Sequence, residues 1–157
     1  MHSTRKGNQW HFGMTAHIGV DADFGLVHTL TGTAANVADI IETEHLLHGQ
    51  ETFVFADAGY TGAEKREELK ARQVTWNIAM KRGKLKAMAE GRLKELTQSL
   101  ERVKAQIRAR VEHPFHVVKN LFGHRKVRYK GLAKNVAQLH TLFALANLVR
   151  VKKALLA

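Results

Sequence analysis

From Trp10 to Asp21 the chain alternates without interruption. Trp10, Phe12, Met14, Ala16, Ile18 and Val20 share one parity, and His11, Gly13, Thr15, His17, Gly19 and Asp21 share the other. A period of two over this length predicts a half-buried β-strand across about 9–21, bent or bulged where the glycines fall. Asp21-Ala22-Asp23-Phe24-Gly25 is turn chemistry, and 26–32 reads as a returning strand, so an antiparallel hairpin is expected. After Gly32-Thr33 the pattern changes. Val37, Ile40, Ile41 and Leu46-Leu47 predict a short amphipathic helix over 36–48. Phe53-Val54-Phe55-Ala56 is a continuous apolar run ending in Asp57, the pattern of a strand (52–57) buried on both faces. Gly59-Tyr60-Thr61-Gly62 follows as a loop, with Thr61 placed to cap a charged helix over 63–72, and 74–80 reads as a further strand. A long helix is expected over 85–122. Its apolar positions Leu93, Leu96, Leu100, Val103, Ile107, Val111, Phe115, Val118 and Phe122 recur at three, four or seven, and Pro114 should kink or split it. A last helix spans 135–156. Strands alternating with helices indicate one α/β domain of 157 residues, with no internal repeat or low-complexity linker.

Composition adds two constraints. The chain has no cysteine, which removes a disulfide framework, a thiolate nucleophile and a cysteine zinc site, and fits a reducing cytosol. The N-terminal residues are polar and basic with no apolar stretch behind them, and the run 142–149 falls far short of the roughly 20 residues of a membrane span. An intracellular protein with no membrane partner is the expectation.

Charge is more informative than composition. A net charge of +11 implies an anionic partner, and nucleic acid is the commonest. The charge is also unevenly placed. Residues 1–56 hold two Lys/Arg (Arg5, Lys6) against six acids, whereas 113–157 hold nine Lys/Arg and no acid.

Two carboxylates stand where chemistry could use them. Asp57 ends a buried strand before a glycine-rich loop, the place where open α/β sheets bind ligands; the plainer reading is a turn-initiating or capping aspartate. Glu112 is the one acid among ten Lys/Arg between Arg102 and Lys134. Helical steps of four and seven bring Arg108, Glu112 and Lys119 to one face, beside the apolar stripe; here the plainer reading is an ion pair between Arg108 and Glu112. A strand-end Asp and a facing helical Glu suit a hard divalent ion such as Mg²⁺, which takes oxygen ligands and supports phosphodiester cleavage. His113 and His116 straddle Pro114 without a third partner and make a poor metal site. His11 and His17 read as polar-face or phosphate contacts, and Trp10 and Trp76 as core or interface residues.

These residues sit in segments that resemble the DDE transposases of bacterial insertion sequences, of the IS-five type. The segments are 4–14 (TRKGNQWHFGM), 16–21 (AHIGVD), 55–60 (FADAGY), 108–115 (RARVEHPF) and 122–132 (FGHRKVRYKGL). The resemblance implies an RNase H-like mixed sheet flanked by helices, Mg²⁺ or Mn²⁺ as cofactor, and transposon-end DNA as substrate. It implies that Asp57 is the second catalytic Asp, at the end of the fourth strand. It implies that Glu112 is the catalytic Glu of a Tyr-x2-Arg-x3-Glu-x6-Lys signature, in which Arg108 and Lys119 keep the spacing and Ala105 replaces the Tyr. Lys119 would then touch DNA phosphate, and Arg108 would orient Glu112 or the DNA. Arg5, Lys6, Arg125, Lys126, Arg128, Lys130 and Lys134 complete the expected DNA contacts. In this family the first catalytic Asp lies on a central first strand, upstream of the segment that begins here. The expectation is therefore a fragment without that strand, inactive alone, with Asp21 the tempting but turn-placed substitute. Two roles follow from the resemblance: a transposase catalytic domain in the bacterial cytoplasm at the nucleoid, or a non-catalytic remnant that binds DNA or pairs with itself or an intact transposase as an inhibitor.

Overall fold

The computed structural model describes residues 1–156, apart from the side chain of Lys6. Strand β1 (His2–Lys6) leads into β2 (Gln9–Val20) and β3 (Val27–Ala34), which form an antiparallel sheet with β2 in the middle. β1 pairs with the first part of β2, His2 opposite Gly13, and β3 with the second part, Met14 opposite Ala34. The register slips at Gly19/Val20, where a bulge bends the strand. A 3₁₀ turn (Asp39–Glu42) and helix α1 (Thr43–Leu46) lead to β4 (Phe53–Ala56). Further short turns and α2 (Glu67–Lys70) lead to β5 (Thr75–Ile78), parallel to β4 in a separate sheet. Helices α3 (Arg82–Lys86), α4 (Arg92–His116) and α5 (Leu132–Leu155) complete the chain. The architecture is mixed α/β.

The core lies between one face of the β2–β3 hairpin and the two long helices. Ile18, Val118, Leu139, Phe143 and Ala146 are buried there, with Met14, Ala16, Val20 and Leu30 packed against them. The Phe115 and Phe143 rings meet edge to face at 5.3 Å, an arrangement favoured by the ring quadrupoles. α5 lies so close to β3 that a Cβ on Gly32 would collide with Val136. Asn147 fastens the helix to the strand, accepting from Val27 N at 2.9 Å and donating to Val27 O at 2.8 Å.

Several local expectations are corrected. His2–Lys6 is a strand that the pattern did not announce, because its residues are polar and carry no alternation. The segment expected to be helical over 36–48 holds only the 3₁₀ turn and one α turn, since Val37, Ile40, Ile41 and Thr43 are β-branched and stiff in a helix. The helix expected over 63–72 is broken at Arg66, whose backbone is extended at φ −72°, ψ 139°. The helix expected over 85–122 is interrupted before Arg92, where Gly91 takes φ 147°. Pro114 does not split the helix: α4 runs through it to His116 and widens into a π-helical turn over Val117–Leu121. The buried proline and its neighbours Val111, Phe115 and Val118 pack into the core, which holds the backbone helical across the missing N–H. β4 is not buried on both faces; Phe53 is exposed, because β4 has a strand neighbour on one edge alone among the described residues.

Candidate functional site

Between the two sheets lies a cleft of about 950 Å³. One wall is β2 from Thr15 and the turn to Asp23, the second is β4 to Asp57, and the floor is α4 from Ile107 to Phe115. Neither sheet donates a strand to the space. Along Met14–Val20, β2 pairs with β3 on one edge, and β4 pairs with β5 on one edge. Asp57, Arg108 and Glu112 all line this cleft, so a strand end and a helix far apart in sequence converge on one space.

Asp57 follows the last residue of β4 and is exposed to the cleft. Its Oδ1 accepts from Gly59 N at 2.8 Å, starting the 3₁₀ turn Ala58–Tyr60. The aspartate is thus a cap, and its remaining oxygen is open to a ligand. Glu112 is exposed on α4, and among the described residues it forms no ion pair with Arg108. Arg108 is half-buried and its charge is felt by Glu101, whose carboxyl lies below the usual range through the Lys104 and Met80 hydrogen bonds, against the larger opposing effect of burial. Asp21 also lines the cleft, but its Oδ1 is occupied by Asp23 N at 2.6 Å and Phe24 N at 2.8 Å. The Phe24 amide in particular holds this carboxyl below the ordinary carboxylate range, against the cost of partial burial.

Three residues that the sequence did not single out for chemistry join this site. A Cβ placed on Gly59 would lie 3.0 Å from Asp57 Oδ1 and 4.0 Å from Asp39 Oδ2, so two carboxylates flank one glycine. Asp39 is held by His17, whose Nδ1 is 3.2 Å from Asp39 Oδ1 and whose Nε2 is 2.8 Å from Thr33 Oγ1. His17 is 3% exposed and so is no phosphate contact: it points to the face of β2 opposite the main core. Tyr60 lies beside both aspartates. Burial first, then Asp39, Asp57 and Glu42, push its phenol well above the ordinary tyrosine value. The only available signal was the non-core parity of His17 on β2, which cannot reveal what covers that face.

Among the described residues no three His, Cys, Asp or Glu stand close enough together to hold a metal ion. The donor set is nevertheless all-oxygen and open, which is the chemistry of hard divalent cations. Asp57, Asp39 and Glu112 are the groups available to such an ion.

The basic residues gather elsewhere. Lys119 lies in the π turn, its Nζ 5.3 Å from the centre of the Phe115 ring, and does not line the cleft. Arg125 folds back on that turn through Lys119 O (3.3 Å) and Asn120 Oδ1 (3.0 Å). The loop that follows is clamped by Asn135, 1% exposed, which accepts from Arg128 N and Tyr129 N and donates to Tyr129 O and Gly131 O. Four hydrogen bonds from one buried amide fix the loop while Lys126, Arg128, Lys130 and Lys134 stay exposed. Arg5 projects from the β1–β2 hairpin, tied to Gly7 O at 3.1 Å; the Lys6 side chain lies outside the described residues. No helix among the described residues is long and apolar enough to cross a membrane.

A protein-family model described as a transposase DDE domain matches residues 1–148. No solved structure matches the chain.

Proposed function

The chain belongs to the transposase DDE-domain family, and on that premise we propose that its cleft is the DNA strand-cleavage and strand-transfer site of an insertion-sequence transposase of the IS-five type. The observation that carries this reading is the convergence of Asp57, Glu112 and Arg108 on one cleft between the sheets. Asp57 and Glu112 are the carboxylates that hold Mg²⁺ or Mn²⁺, and Arg108 orients Glu112 or the DNA. When bound, the divalent ions supply Lewis acidity for phosphodiester exchange. The residues of the chain bind and orient: Asp57 is fixed by the Gly59 amide, and Lys119, Arg125, Lys126, Arg128, Lys130 and Lys134, with Arg5 and Lys6, engage transposon-end phosphate. Arg and Lys on a rigid loop suit backbone contact, which positions DNA without reading its sequence.

The fold is RNase H-like with the central position between β2 and β4 free of a strand. The support is the cleft itself, whose two walls are strand edges. A third carboxylate would enter on a strand laid there, since Asp21 is already engaged by its own turn. The chain by itself therefore binds DNA and divalent ion without efficient cleavage. The test is Mn²⁺ titration of the chain and its Asp57→Asn and Glu112→Gln variants, with a magnesium-dependent nicking assay alongside. Each substitution should weaken Mn²⁺ binding about tenfold or more, as loss of a charged oxygen ligand does. Unchanged affinity in both variants would remove the metal reading. Robust nicking by the unaltered chain, lost in Asp57→Ala, would overturn its incompleteness.

A further inference from the structure

The first half of α4 is turned the wrong way round for a surface helix. Its covered side is charged: Lys94, Glu101 and Lys104 side chains are only 12%, 14% and 14% exposed. Glu101 accepts from Met80 N at 2.9 Å, and Lys104 donates to Ile78 O at 3.1 Å and to Glu101 at 2.9 Å. These anchors at the end of β5 set the helix rotation, and the leucines, about 100° further round, are left outside. Leu93 is 72% exposed, Leu96 59%, Leu100 53% and Val103 51%. Their spacing is three, four, three, and a further four reaches Ile107, where the stripe enters the cleft wall. That is a heptad seam, with a and d positions all aliphatic.

We propose that this seam is a self-association surface, packing against the same seam on a second copy of the chain in antiparallel register. A period of 3.5 fits a partner helix rather than a sheet or an irregular peptide. Two-fold pairing about Gln98 sets Leu96 opposite the second copy's Leu100 and Leu93 opposite its Val103, so the seam is its own complement. Charge favours a copy over nucleic acid. The chain carries +11, but residues 92–103 hold three basic and two acidic side chains, and the open flank Arg92, Ser99, Gln106 has a single charge. Two such chains meet here without repulsion, and DNA finds no cation array. The antiparallel direction follows from where the rest of the molecule sits. Each basic body is attached at the C-terminal half of α4, and antiparallel pairing sends the two bodies to opposite ends. The pairing owes nothing to metal binding at Asp57 and stands or falls separately.

Sedimentation of the full chain across a concentration series tests it. The unaltered chain is expected to associate reversibly to a dimer. The double variant Leu96→Gln, Leu100→Gln should weaken association at least tenfold with unchanged circular dichroism, because both positions are solvent-exposed in one copy. Since the chain has no cysteine, Ser99→Cys introduces the only thiol, close to the two-fold axis, and should form a disulfide-linked dimer under mild oxidation. Asp57→Asn should associate like the unaltered chain. A chain that stays monomeric at its highest soluble concentration would overturn the proposal. So would association untouched by the glutamine pair, no crosslink at Ser99→Cys, or a stripe that instead governs binding to anionic lipid vesicles or to DNA.

Discussion

Tyr60 resists ionisation first because it is buried and then because Asp39, Asp57 and Glu42 surround it with negative charge. The sign of the consequence is fixed. An unfolded tyrosine loses its proton near pH 10, while the folded one keeps it, so stability is undiminished below about pH 10 and falls as pH rises beyond. Thermal melts in alkaline buffers should show this decline, and Tyr60→Phe should flatten it. His124 works in the opposite direction: burial, then the Arg128 charge, depress its pKa, and its buried Nδ1 finds no partner among the described residues. Its contribution is present above about pH 6.5 and is lost on acidification. His124→Asn should reduce the acid sensitivity of the melt. At His17 the issue is satisfaction rather than charge. Replacing it by Leu strands the Thr33 hydroxyl and releases Asp39, which should cost about 1–3 kcal/mol in denaturant unfolding and weaken Mn²⁺ binding less than Asp57→Asn does.

At the scale of elements, the parts of the fold legible in the sequence are those whose period is set by a single buried face. Trp10 to Val20 alternates because β2 lays Met14, Ala16 and Ile18 on the core, although Trp10 and Phe12 of the same parity stay exposed on the hairpin arm. α5 has its apolar residues spaced over the hairpin in the same way. What could not be read depends on partners remote in sequence. β1 is polar, and only pairing with Gln9–Gly13 makes it a strand. The leucine stripe of α4 predicts a core face, yet Lys104 and Glu101 face inward, because Met80 and Ile78 lie 21 and 26 residues away in sequence and offer their backbone. For the site, strand-end position and helical spacing pointed to Asp57 and Glu112, while Asp39 could not be found because it reaches Gly59 from a turn with no periodicity. Close packing gives an element-level prediction: Gly32→Ala forces a methyl into Val136 and Met14, and should destabilise the chain by about 1–3 kcal/mol in thermal or denaturant unfolding.

For the whole molecule, the dominant feature is the separation of acidic and basic halves. The cleft side carries the carboxylates, and the loop beyond α4 carries cations on a frame fixed by Asn135. DNA affinity should fall steeply with salt. Neutralising Arg125, Lys126, Arg128 and Lys130 should flatten the log–log slope by about 0.9 for each phosphate contact removed, whereas Glu112→Gln should leave it unchanged. Asn135→Ala should weaken binding without removing a charge, because it frees the loop.

The interrupted sheet also bears on motion. No ladder of backbone hydrogen bonds joins β2 to β4 among the described residues, so the β4–β5 half is tied to the hairpin half through α4 and a few turns. Such a molecule has a soft axis along the cleft, where the halves can part without breaking a strand pair. Amide exchange in β4 and β5 should therefore outrun that in β2 and β3, and anything that seats itself along both walls would slow the former by stitching the two halves into one sheet.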